Sequence, residues 1–320
     1  MIARMSLFLA IDAGGTKTRC LLADDSGVLA RAATGTVKLM RVSEEEATAR
    51  LRAMLAEAAA AAGASLGQVT RTCFGLAGWS GPAVQAWARR SLAEMVRGEL
   101  ILCGDEEIAL DAGFAGGRGI LVIAGTGNNA IGRSANGELF GAGGWGPMLG
   151  DEGSGYWIGL EAIRAALRAQ DRLGADTAVS WGLLRAIEAH WGLSSDAELV
   201  AVGNQRPGPD FAALAPLVAR RAAEGDELAV DVLQRAGEAL AELVAVVFKR
   251  LAVAERALNL ELEAEAAAEI GVAFTGSVLS QIAPVRAAMV ARLEVSVPGA
   301  RVSEIAVDPL DGALWRAKRG

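Results

Sequence analysis

The sequence of 320 residues is long enough for two domains, each with its own hydrophobic core. Hydrophobic residues make up 52% and charged residues 22%, a globular balance that argues against extended disorder. The formal net charge is −7, and the basic residues form no continuous stripe along the sequence. Because an acidic protein repels phosphate backbones, we expect no nucleic-acid partner.

The three cysteines, Cys20, Cys73 and Cys103, lie in apolar, strand-like runs and lack the close spacing of a zinc or iron–sulfur site. We therefore expect buried, reduced thiols, as in a reducing compartment. The first ten residues run directly into Asp12 without a small-residue cleavage site, and no window approaches the length of a membrane span. These features predict a cytoplasmic protein without a membrane attachment.

The predicted elements begin with a buried strand at 7–12, which ends in Asp12 and leads into a glycine turn. A second strand covers 17–23. The stretch 24–27 (Asp-Asp-Ser-Gly) is typical of a hairpin turn and leads into a third strand near 28–33.

The same plan recurs about one third of the way along the chain. Its parts are an apolar strand at 119–124, a Gly-Thr-Gly turn at 125–127, a short strand at 130–133 and a hairpin turn at 134–137. Gly15-Thr16 and Gly125-Thr126 are 110 positions apart, and so are Gly27 and Gly137. The shared spacing predicts a duplicated unit, with one copy in each lobe.

Helices fill the spaces between these hairpins. Ser43, with Glu46 three residues later, predicts a capping box and a helix to about Ala62, and Pro82 suits the first position of a helix to about Arg97. Further helices are predicted near 154–170, 180–191, 211–224, 227–254, 279–292 and 310–319, with an exposed loop around 203–209. Strands and helices mixed in this order indicate an α/β fold.

The segment Asp12-Ala-Gly-Gly-Thr-Lys-Thr18 carries the strongest local signal for phosphate binding. Glycines allow backbone N–H groups to approach phosphate oxygens, and the hydroxyls of Thr16 and Thr18 are additional donors. Asp12, at the end of its strand, can hold a hydrated Mg²⁺ beside the phosphates. The spacing fits neither the P-loop nor the dinucleotide-binding fingerprint, so a purely structural glycine turn stays an alternative.

Two more features fit phosphoryl transfer, which depends on positioning and charge neutralisation. The Gly-Thr-Gly turn at 125–127, followed by two asparagines, offers a second phosphate cradle. Asp105 follows the apolar run 100–103 and one glycine, where a base for a hydroxyl nucleophile would sit. Glu106 and Glu107 compete for this role, unless they are first-turn acids of the following helix.

The stretch 141–155 contains seven glycines around Trp145 and two acids, which is a poor core but a good ligand-facing loop. Trp145 can form a flat wall for a sugar ring and Asp151 can accept hydroxyl or amide hydrogens; the alternative is a flexible loop with a packed tryptophan.

The stretch 273–279 is a strand, glycine turn and helix start suited to an adenine or ribose edge. The single histidine, His190, disfavours Ser-His-Asp hydrolysis and histidine-based metal sites.

Taken in order, these motifs resemble the N-acetylglucosamine kinase branch of the sugar kinase–actin–heat-shock chaperone superfamily, together with the related BadF/BadG/BcrA/BcrD ATPases. The matching segments are 12–18, Gly75-Leu-Ala-Gly78, Asp105, 125–127, Gly143-Gly-Trp-Gly146, Gly150-Asp-Glu-Gly-Ser154, Thr275-Gly-Ser277 and Gly312-Ala313. The resemblance covers nearly the whole chain, and its most specific part lies between 143 and 154.

The resemblance implies the two-lobed actin/hexokinase-like (ribonuclease H-like) α/β fold, in which duplicated mixed-sheet domains flank a cleft. The N-terminal lobe would comprise 1–116 and the C-terminal helix 308–320, and the second lobe 117–307. The implied activity is ATP-dependent phosphorylation of an amino sugar, foremost N-acetylglucosamine to its 6-phosphate, with ATP and Mg²⁺ required. Relatives also suggest a homodimer.

The resemblance assigns roles to individual residues. Asp105 would be the catalytic base and would contact the sugar. Asp12 would place Mg²⁺ through water. ATP would be bound by Asp12, Gly14, Gly15, Thr16, Lys17, Thr18, Gly125, Thr126, Gly127, Gly276 and Ser277. The sugar pocket would be lined by Ala77, Gly78, Gly144, Trp145, Asp151 and, at a position where the family differs, Lys38.

That difference concerns a turn after the third strand, where the family usually carries an asparagine in a Gly-Pro-Ser-Asn-like sequence. Here the stretch 35–39 is Gly-Thr-Val-Lys-Leu, so Val37 or Lys38 occupies the place. Because a lysine donates hydrogen bonds and accepts none, an acidic or otherwise modified amino sugar is an alternative substrate. Rival acceptors for the same activity are glucosamine, an N-acetylmuramic acid derivative or another small polyol. A non-kinase ATPase that regulates a partner protein is the alternative from a different class.

Overall fold

The computed structural model describes residues 6–173, 178–257 and 269–319 of the chain. Residues 1–5, part of the N-terminal run that the sequence analysis considered, lie outside the described residues. The chain divides into two compact units: unit 1 comprises Met1–Gly117 and Val307–Gly320, and unit 2 comprises Arg118–Ala306. Within the described ranges, every helix is too short or too polar to span a lipid bilayer.

Each unit contains one five-stranded mixed sheet. The strands of unit 1 are β1 (Leu7–Ala13), β2 (Lys17–Ala23), β3 (Val28–Gly35), β4 (Val69–Leu76) and β5 (Glu99–Gly104), in the sheet order β3-β2-β1-β4-β5. Those of unit 2 are β6 (Gly119–Ala124), β7 (Asn128–Arg133), β8 (Leu139–Gly143), β9 (Ile270–Thr275) and β10 (Ala300–Val302), in the order β10-β9-β6-β7-β8.

The two sheets have the same topology, which confirms the predicted duplication. In each, the first three strands form an antiparallel meander, and the remaining two add in parallel beside the first strand. The carboxyl ends of β1, β4 and β5 therefore lie at one edge of the unit 1 sheet, and those of β6 and β9 at one edge of the unit 2 sheet.

The α-helices follow the predicted order. They are α1 (Glu44–Ala62), α2 (Pro82–Met95), α3 (Asp105–Phe114), α4 (Gly155–Leu173), α5 (Ala178–Trp191), α6 (Asp196–Gly203), α7 (Ala215–Ala223), α8 (Glu227–Ala257), α9 (Ser277–Gln281), α10 (Ala283–Ser296) and α11 (Pro309–Arg319). Two short 3₁₀ helices cover Leu66–Gln68 and Phe211–Leu214. The helix α6 and the strands β8 and β10 were not predicted from the sequence, and residues 141–143 of the predicted glycine-rich loop belong to β8.

Three helix predictions need correction. The predicted helix 211–224 is a 3₁₀ turn followed by α7, and the predicted helix 279–292 is broken at Ile282 because Pro284 occupies the first turn of α10. At the start of α1, the Ser43 hydroxyl accepts the Glu46 N–H at 3.2 Å, but the Glu46 carboxylate pairs with Arg50. Only half of the predicted capping box therefore forms.

The unit 1 sheet is buried on both faces. Leu9 and Ile11 of β1 pack on the side of α1 and α2, whereas Phe8 and Ala10 pack on the side of α3 and α11. A continuous apolar run of this kind is typical of a strand covered by helices on both sides. The three cysteines are buried in these layers as free thiols, which confirms that prediction.

Unit 2 has one large core between its sheet and the helices α4 to α10. The long helix α8 crosses α10 at Gly237, where an added Cβ would lie 2.3 Å from the carbonyl oxygen of Val285. The close approach of these two backbones explains the glycine at this position.

Candidate functional site

Most of the candidate residues of unit 1 lie at the carboxyl edge of its sheet. Ala13 pairs with Leu76 on β4, and Leu76 pairs with Gly104 on β5. Asp12, the last residue but one of β1, therefore lies near the level where β4 leads into Ala77 and Gly78 and β5 leads into Asp105. The Ala77 N–H donates to the Ala13 carbonyl at 2.9 Å and extends the pairing beyond the strand end.

Asp12 is nearly buried and is held by an arginine that the sequence analysis did not single out. Arg19 Nη2 lies 2.7 Å from Asp12 Oδ2 and 2.8 Å from Asp308 Oδ1. Asp308 also caps the start of α11, since its Oδ1 accepts the Leu310 N–H at 3.1 Å. Burial raises the pKa of the Asp12 carboxyl, and the Arg19 guanidinium opposes this shift.

Asp105 is half-buried at the first position of α3, beside a second acid. Burial is the largest cause that raises the pKa of Asp105 well above its usual value, and the side chain of Glu106 and the charge of Asp12 raise it further. Glu107 has a different role, because it accepts the Gly104 N–H at 3.1 Å and pairs with Arg316. A raised pKa makes this carboxylate a stronger proton acceptor than an ordinary aspartate.

The segment 35–38 contacts the loop 14–17, called here the first loop. The Thr36 hydroxyl donates to the Gly14 carbonyl at 3.2 Å and accepts the Lys38 N–H at 3.1 Å. Val37 is fully buried in the core, so of the two residues considered at the family's asparagine position only Lys38 is partly exposed.

The members of the first loop differ in exposure. Thr16 and Lys17 are exposed, and Gly14 and Gly15 are half-buried, so these four can be approached by a ligand. Thr18 is fully buried on β2, and its hydroxyl has no hydrogen-bond partner among the described residues. A phosphate can therefore reach the Thr16 hydroxyl more easily than the buried Thr18 hydroxyl, although both contacts were predicted.

In unit 2, the loop 125–127, called here the second loop, faces the start of α9. Gly276 has φ 95°, and an added Cβ would lie 2.3 Å from the Ala124 carbonyl oxygen, so this turn requires glycine. A Cβ added to Gly125 would lie 3.9 Å from the Ser277 nitrogen and hydroxyl. The predicted ATP-binding residues Gly125, Thr126, Gly276 and Ser277 are thus neighbours in the structure.

A cavity of about 480 Å³ opens beside these residues. One wall is formed by small residues of the 3₁₀ turn and α7, namely Ala212, Ala213, Ala215, Pro216 and Ala219. Polar side chains at the cavity are Thr126, Asp210, Arg220, Ser277 and Gln281. Apart from Thr126 and Ser277, sequence reasoning missed these residues, because their 3₁₀ turn, helices and loop carry no motif.

The stretch 141–150, called here the glycine loop, carries Trp145 on its surface and is followed by a buried acid. Trp145 is 74% exposed, so it does not serve as a packed core residue. Asp151 is only 5% exposed and has φ 65°. Its Oδ2 would lie 2.8 Å from a Cβ on Gly127, which places this carboxylate beside the second loop.

The chemistry of the site fits a metal bound mainly by nucleotide phosphates and water. No cluster of three or more His, Cys, Asp or Glu side chains in the described ranges forms a cage for a metal ion. Mg²⁺ usually binds through one or two carboxylates together with phosphates and water, and Asp12 offers a nearly buried carboxylate oxygen donor beside the first loop.

The repeated five-stranded sheet, with a glycine-threonine loop after the first strand of each copy, defines the actin/hexokinase-like class of two-domain proteins. Within that class, the chain belongs to the BadF/BadG/BcrA/BcrD ATPase family, which matches residues 9–314. Both the fold class and the family expected from the sequence are confirmed.

The chain is similar to proteins that are named as sugar kinases. The chain is 30% identical to the N-acetyl-D-glucosamine kinase of Dictyostelium discoideum, over 77% of this chain and 80% of that protein. It is 35% identical to the N-acetylmuramic acid/N-acetylglucosamine kinase of Clostridium acetobutylicum, over 56% of this chain and 60% of the relative, which is under two thirds of its length. A solved structure from Chromobacterium violaceum, provisionally assigned as an N-acetylglucosamine kinase, is similar with a TM-score of 0.71 and 26% identity, over 97% of this chain and 98% of that one.

Proposed function

We propose that the chain is an ATP-dependent amino-sugar kinase that transfers a phosphoryl group from ATP to a sugar hydroxyl, foremost the 6-hydroxyl of N-acetylglucosamine. The observation that carries this proposal is Asp105, a half-buried carboxylate with a raised pKa at the sheet edge that also holds Asp12 and the first loop. The family and the names of the relatives support the same activity.

In this proposal Asp105 accepts the proton of the sugar hydroxyl while the oxygen attacks the terminal phosphorus atom. The oxygen–hydrogen bond breaks toward the Asp105 carboxylate, and the bridging oxygen leaves with ADP. The exposed backbone of the first loop, at Gly14 to Thr16, donates hydrogen bonds to phosphate oxygens. Asp12, oriented by Arg19, would hold hydrated Mg²⁺, which would supply further charge neutralisation on the phosphates.

The cavity of unit 2 suits the nucleoside part of ATP. Its lining includes four alanines and a proline, which offer apolar contacts to a purine ring, together with the hydroxyl-bearing Thr126 and Ser277. An added Cβ at Gly125 would have only the Ser277 nitrogen and hydroxyl within 4 Å, so this position leaves space for phosphate oxygens beside the same loop. We assign adenosine to this cavity and the phosphates to the second loop.

We assign the role of binding the sugar to Ala77, Gly78, Gly144, Trp145 and Asp151, together with Lys38. The exposed ring of Trp145 offers an apolar surface for a sugar, and Asp151 Oδ1 has no hydrogen-bond partner among the described residues. The positively charged Lys38 ammonium group attracts an acidic substituent on the sugar and repels the protonated amine of glucosamine. This favours an N-acetylated or lactyl-bearing sugar over glucosamine.

The test is ADP release from Mg-ATP in the presence and absence of N-acetylglucosamine, glucosamine and N-acetylmuramic acid. Strong stimulation by an N-acetylated sugar is the expected result. ATP turnover that no sugar stimulates would overturn the kinase assignment and favour the regulatory ATPase. A Lys38→Asn variant should shift the ratio of kcat/KM values from N-acetylmuramic acid toward N-acetylglucosamine.

We also infer that the protein acts in the cytoplasm, as sugar kinases that use cellular ATP do. The homodimer stays a prediction, which light scattering on the purified protein tests by its molar mass.

A further inference from the structure

The second loop and the glycine loop share one backbone support, the segment 151–156. The Gly155 N–H donates to the Gly125 carbonyl at 2.7 Å, and the Tyr156 N–H donates to the Thr126 carbonyl at 3.2 Å. Two of the three residues of the second loop are therefore hydrogen-bonded to the first residues of α4. These bonds fix the position of the loop without any side chain.

Asn128 adds a bond in the opposite direction. It follows the second loop, is only 6% exposed, and its side-chain amide donates to the Glu152 carbonyl. A Cβ added to Gly143 would lie 3.2 Å from Asn128 Oδ1, so the same side chain also packs against the glycine loop. Asn128 thus touches both the support and the glycine loop.

Asp151 connects the same elements from the other side. Burial raises the pKa of the Asp151 carboxyl, and hydrogen bonds from the backbone N–H groups of Asn128, next to the second loop, and of Gly146, in the glycine loop, oppose this shift. Asp151 Oδ1 and Asn128 Oδ1 are buried and accept no hydrogen bond from the described residues. Leaving such buried oxygens unpaired costs free energy. Their hydrogen bonding is therefore completed only when donors from a ligand or from water reach them.

We propose that Asn128 and Asp151 form a latch that couples nucleotide binding at the second loop to sugar binding at the glycine loop. This inference rests on the proposed function, since it assigns the two substrates to the two loops. A bound sugar orders the glycine loop, donates to the latch and so restrains segment 151–156. Because of this restraint, the second loop loses less entropy when it binds phosphates. By reciprocity, the nucleotide tightens sugar binding by the same factor.

In this view Asn128 is a positioning residue, because it acts on phosphates through the backbone of the second loop. A merely structural role predicts that Asn128→Ala lowers the melting temperature and weakens all ligands alike. The latch predicts something different: each ligand binds alone almost as before, and the mutual enhancement between them is lost.

The experiment measures the dissociation constant of AMPPNP with Mg²⁺ by calorimetry, with and without saturating N-acetylglucosamine. For the wild-type chain we expect the sugar to tighten AMPPNP binding about five-fold or more, the usual size of coupling between sites. In Asn128→Ala this factor should fall to about one, whereas the affinity without sugar should change by less than about three-fold. Asn128→Ser, which keeps a small polar group, is the second variant if the alanine variant does not fold.

The matched control is Asn204→Ala. Asn204 also donates its side-chain amide to a carbonyl oxygen of unit 2, that of Val200 at 2.8 Å, but it lies on the exposed end of α6. This variant should keep the full coupling factor. A wild-type chain without coupling, or an Asn128 variant that retains it, would overturn the latch. If no sugar stimulates ADP release in the wild-type chain, the proposed function itself fails, and the latch fails with it.

Discussion

The two hairpin copies carry opposite chemistry at the same place in their sheets. In unit 1, Asp12 pairs across the strands with Arg19, and four residues form the loop between Ala13 and Thr18. In unit 2, the corresponding pair is Ile123 with Asn129, and only three residues separate Ala124 from Asn128. The strand end of the first copy carries charged side chains, with an arginine between two carboxylates. The strand end of the second copy is neutral, and its loop is held by backbone hydrogen bonds.

We infer that this difference between the copies corresponds to different tasks in the proposed reaction. A charged pair beside an exposed loop suits a hydrated metal and the acceptor hydroxyl, because carboxylates orient water and accept protons. A neutral loop beside a cavity lined with small residues suits a flat, uncharged ring. The predictions below test this division, and they run from the largest expected effect to the smallest.

The sharpest test of unit 1 is Asp105→Asn. The amide cannot accept the proton of the sugar hydroxyl, so kcat should fall by roughly 10²–10⁴-fold in a coupled ADP assay. The affinity for AMPPNP should change little, because the cavity is built from residues of unit 2. The control is Asp25→Asn, at an exposed turn position, which should retain full activity. A near-normal rate in Asp105→Asn would refute the assignment of the base.

The arginine bridge predicts a smaller, metal-dependent effect. Arg19→Met leaves Asp12 and Asp308 without their shared cation, so the Mg²⁺ concentration for half-maximal activity should rise several-fold. Charge-assisted hydrogen bonds of this kind contribute about 1.5–3 kcal/mol when shielded, and the partial exposure of Asp308 lowers that figure. The free energy of unfolding, measured with urea, should therefore fall by about 1–2 kcal/mol.

Arg301→Met is the matched control for this variant, because Arg301 forms an exposed pair with Glu269 in unit 2. Loss of an exposed ion pair should change stability by less than about 1 kcal/mol and leave the Mg²⁺ dependence intact. Arg19→Lys should restore part of the Mg²⁺ response. Equal Mg²⁺ dependence in Arg19→Met and in the wild-type chain would argue against a role for Arg19 beside the metal.

A third test narrows the cavity of unit 2. Ala219→Leu adds three carbons to the wall of α7, so the KM for ATP should rise roughly ten-fold, equivalent to about 1.4 kcal/mol, while kcat at saturating ATP stays within about three-fold. Ala223→Leu is the control, since Ala223 is exposed at the end of the same helix. An unchanged KM in Ala219→Leu would mean that adenosine binds elsewhere.

The smallest expected effect concerns stability and pH. Because the folded chain raises the pKa of Asp105, the wild-type protein loses stability as pH rises from the usual carboxyl value of 3.8 toward the raised one. Asp105→Asn carries no such charge, so its melting temperature should exceed that of the wild type by a few degrees at pH 7. The difference should vanish below about pH 4. A less stable variant at pH 7 would mean that the carboxylate is well compensated in the fold.

Much of the fold could be predicted because its signals are local. The strand ending in Asp12, the hairpin turn at 24–27 and the helix start at Pro82 each depend on a few neighbouring residues, and the structure contains all three. The predicted helix 279–292 is broken at Ile282, because Pro284 favours the first turn of a new helix over the interior of a continuous one. Strand β10 has only three residues and exists because it pairs with β9, which no local pattern reveals.

The candidate site divides in the same way. The glycine-threonine loops and the acids near strand ends could be predicted because each depends on adjacent residues, and the repeat could be predicted because the same short pattern occurs twice. Only the fold brings Arg19 between Asp12 and Asp308, which is 289 positions from Arg19, and places Asn128 and Asp151 against two loops. It also decided that helix α7, which carries no motif, closes the cavity of unit 2. Such contacts depend on how distant segments pack, and the free energy of that packing is spread over the whole core.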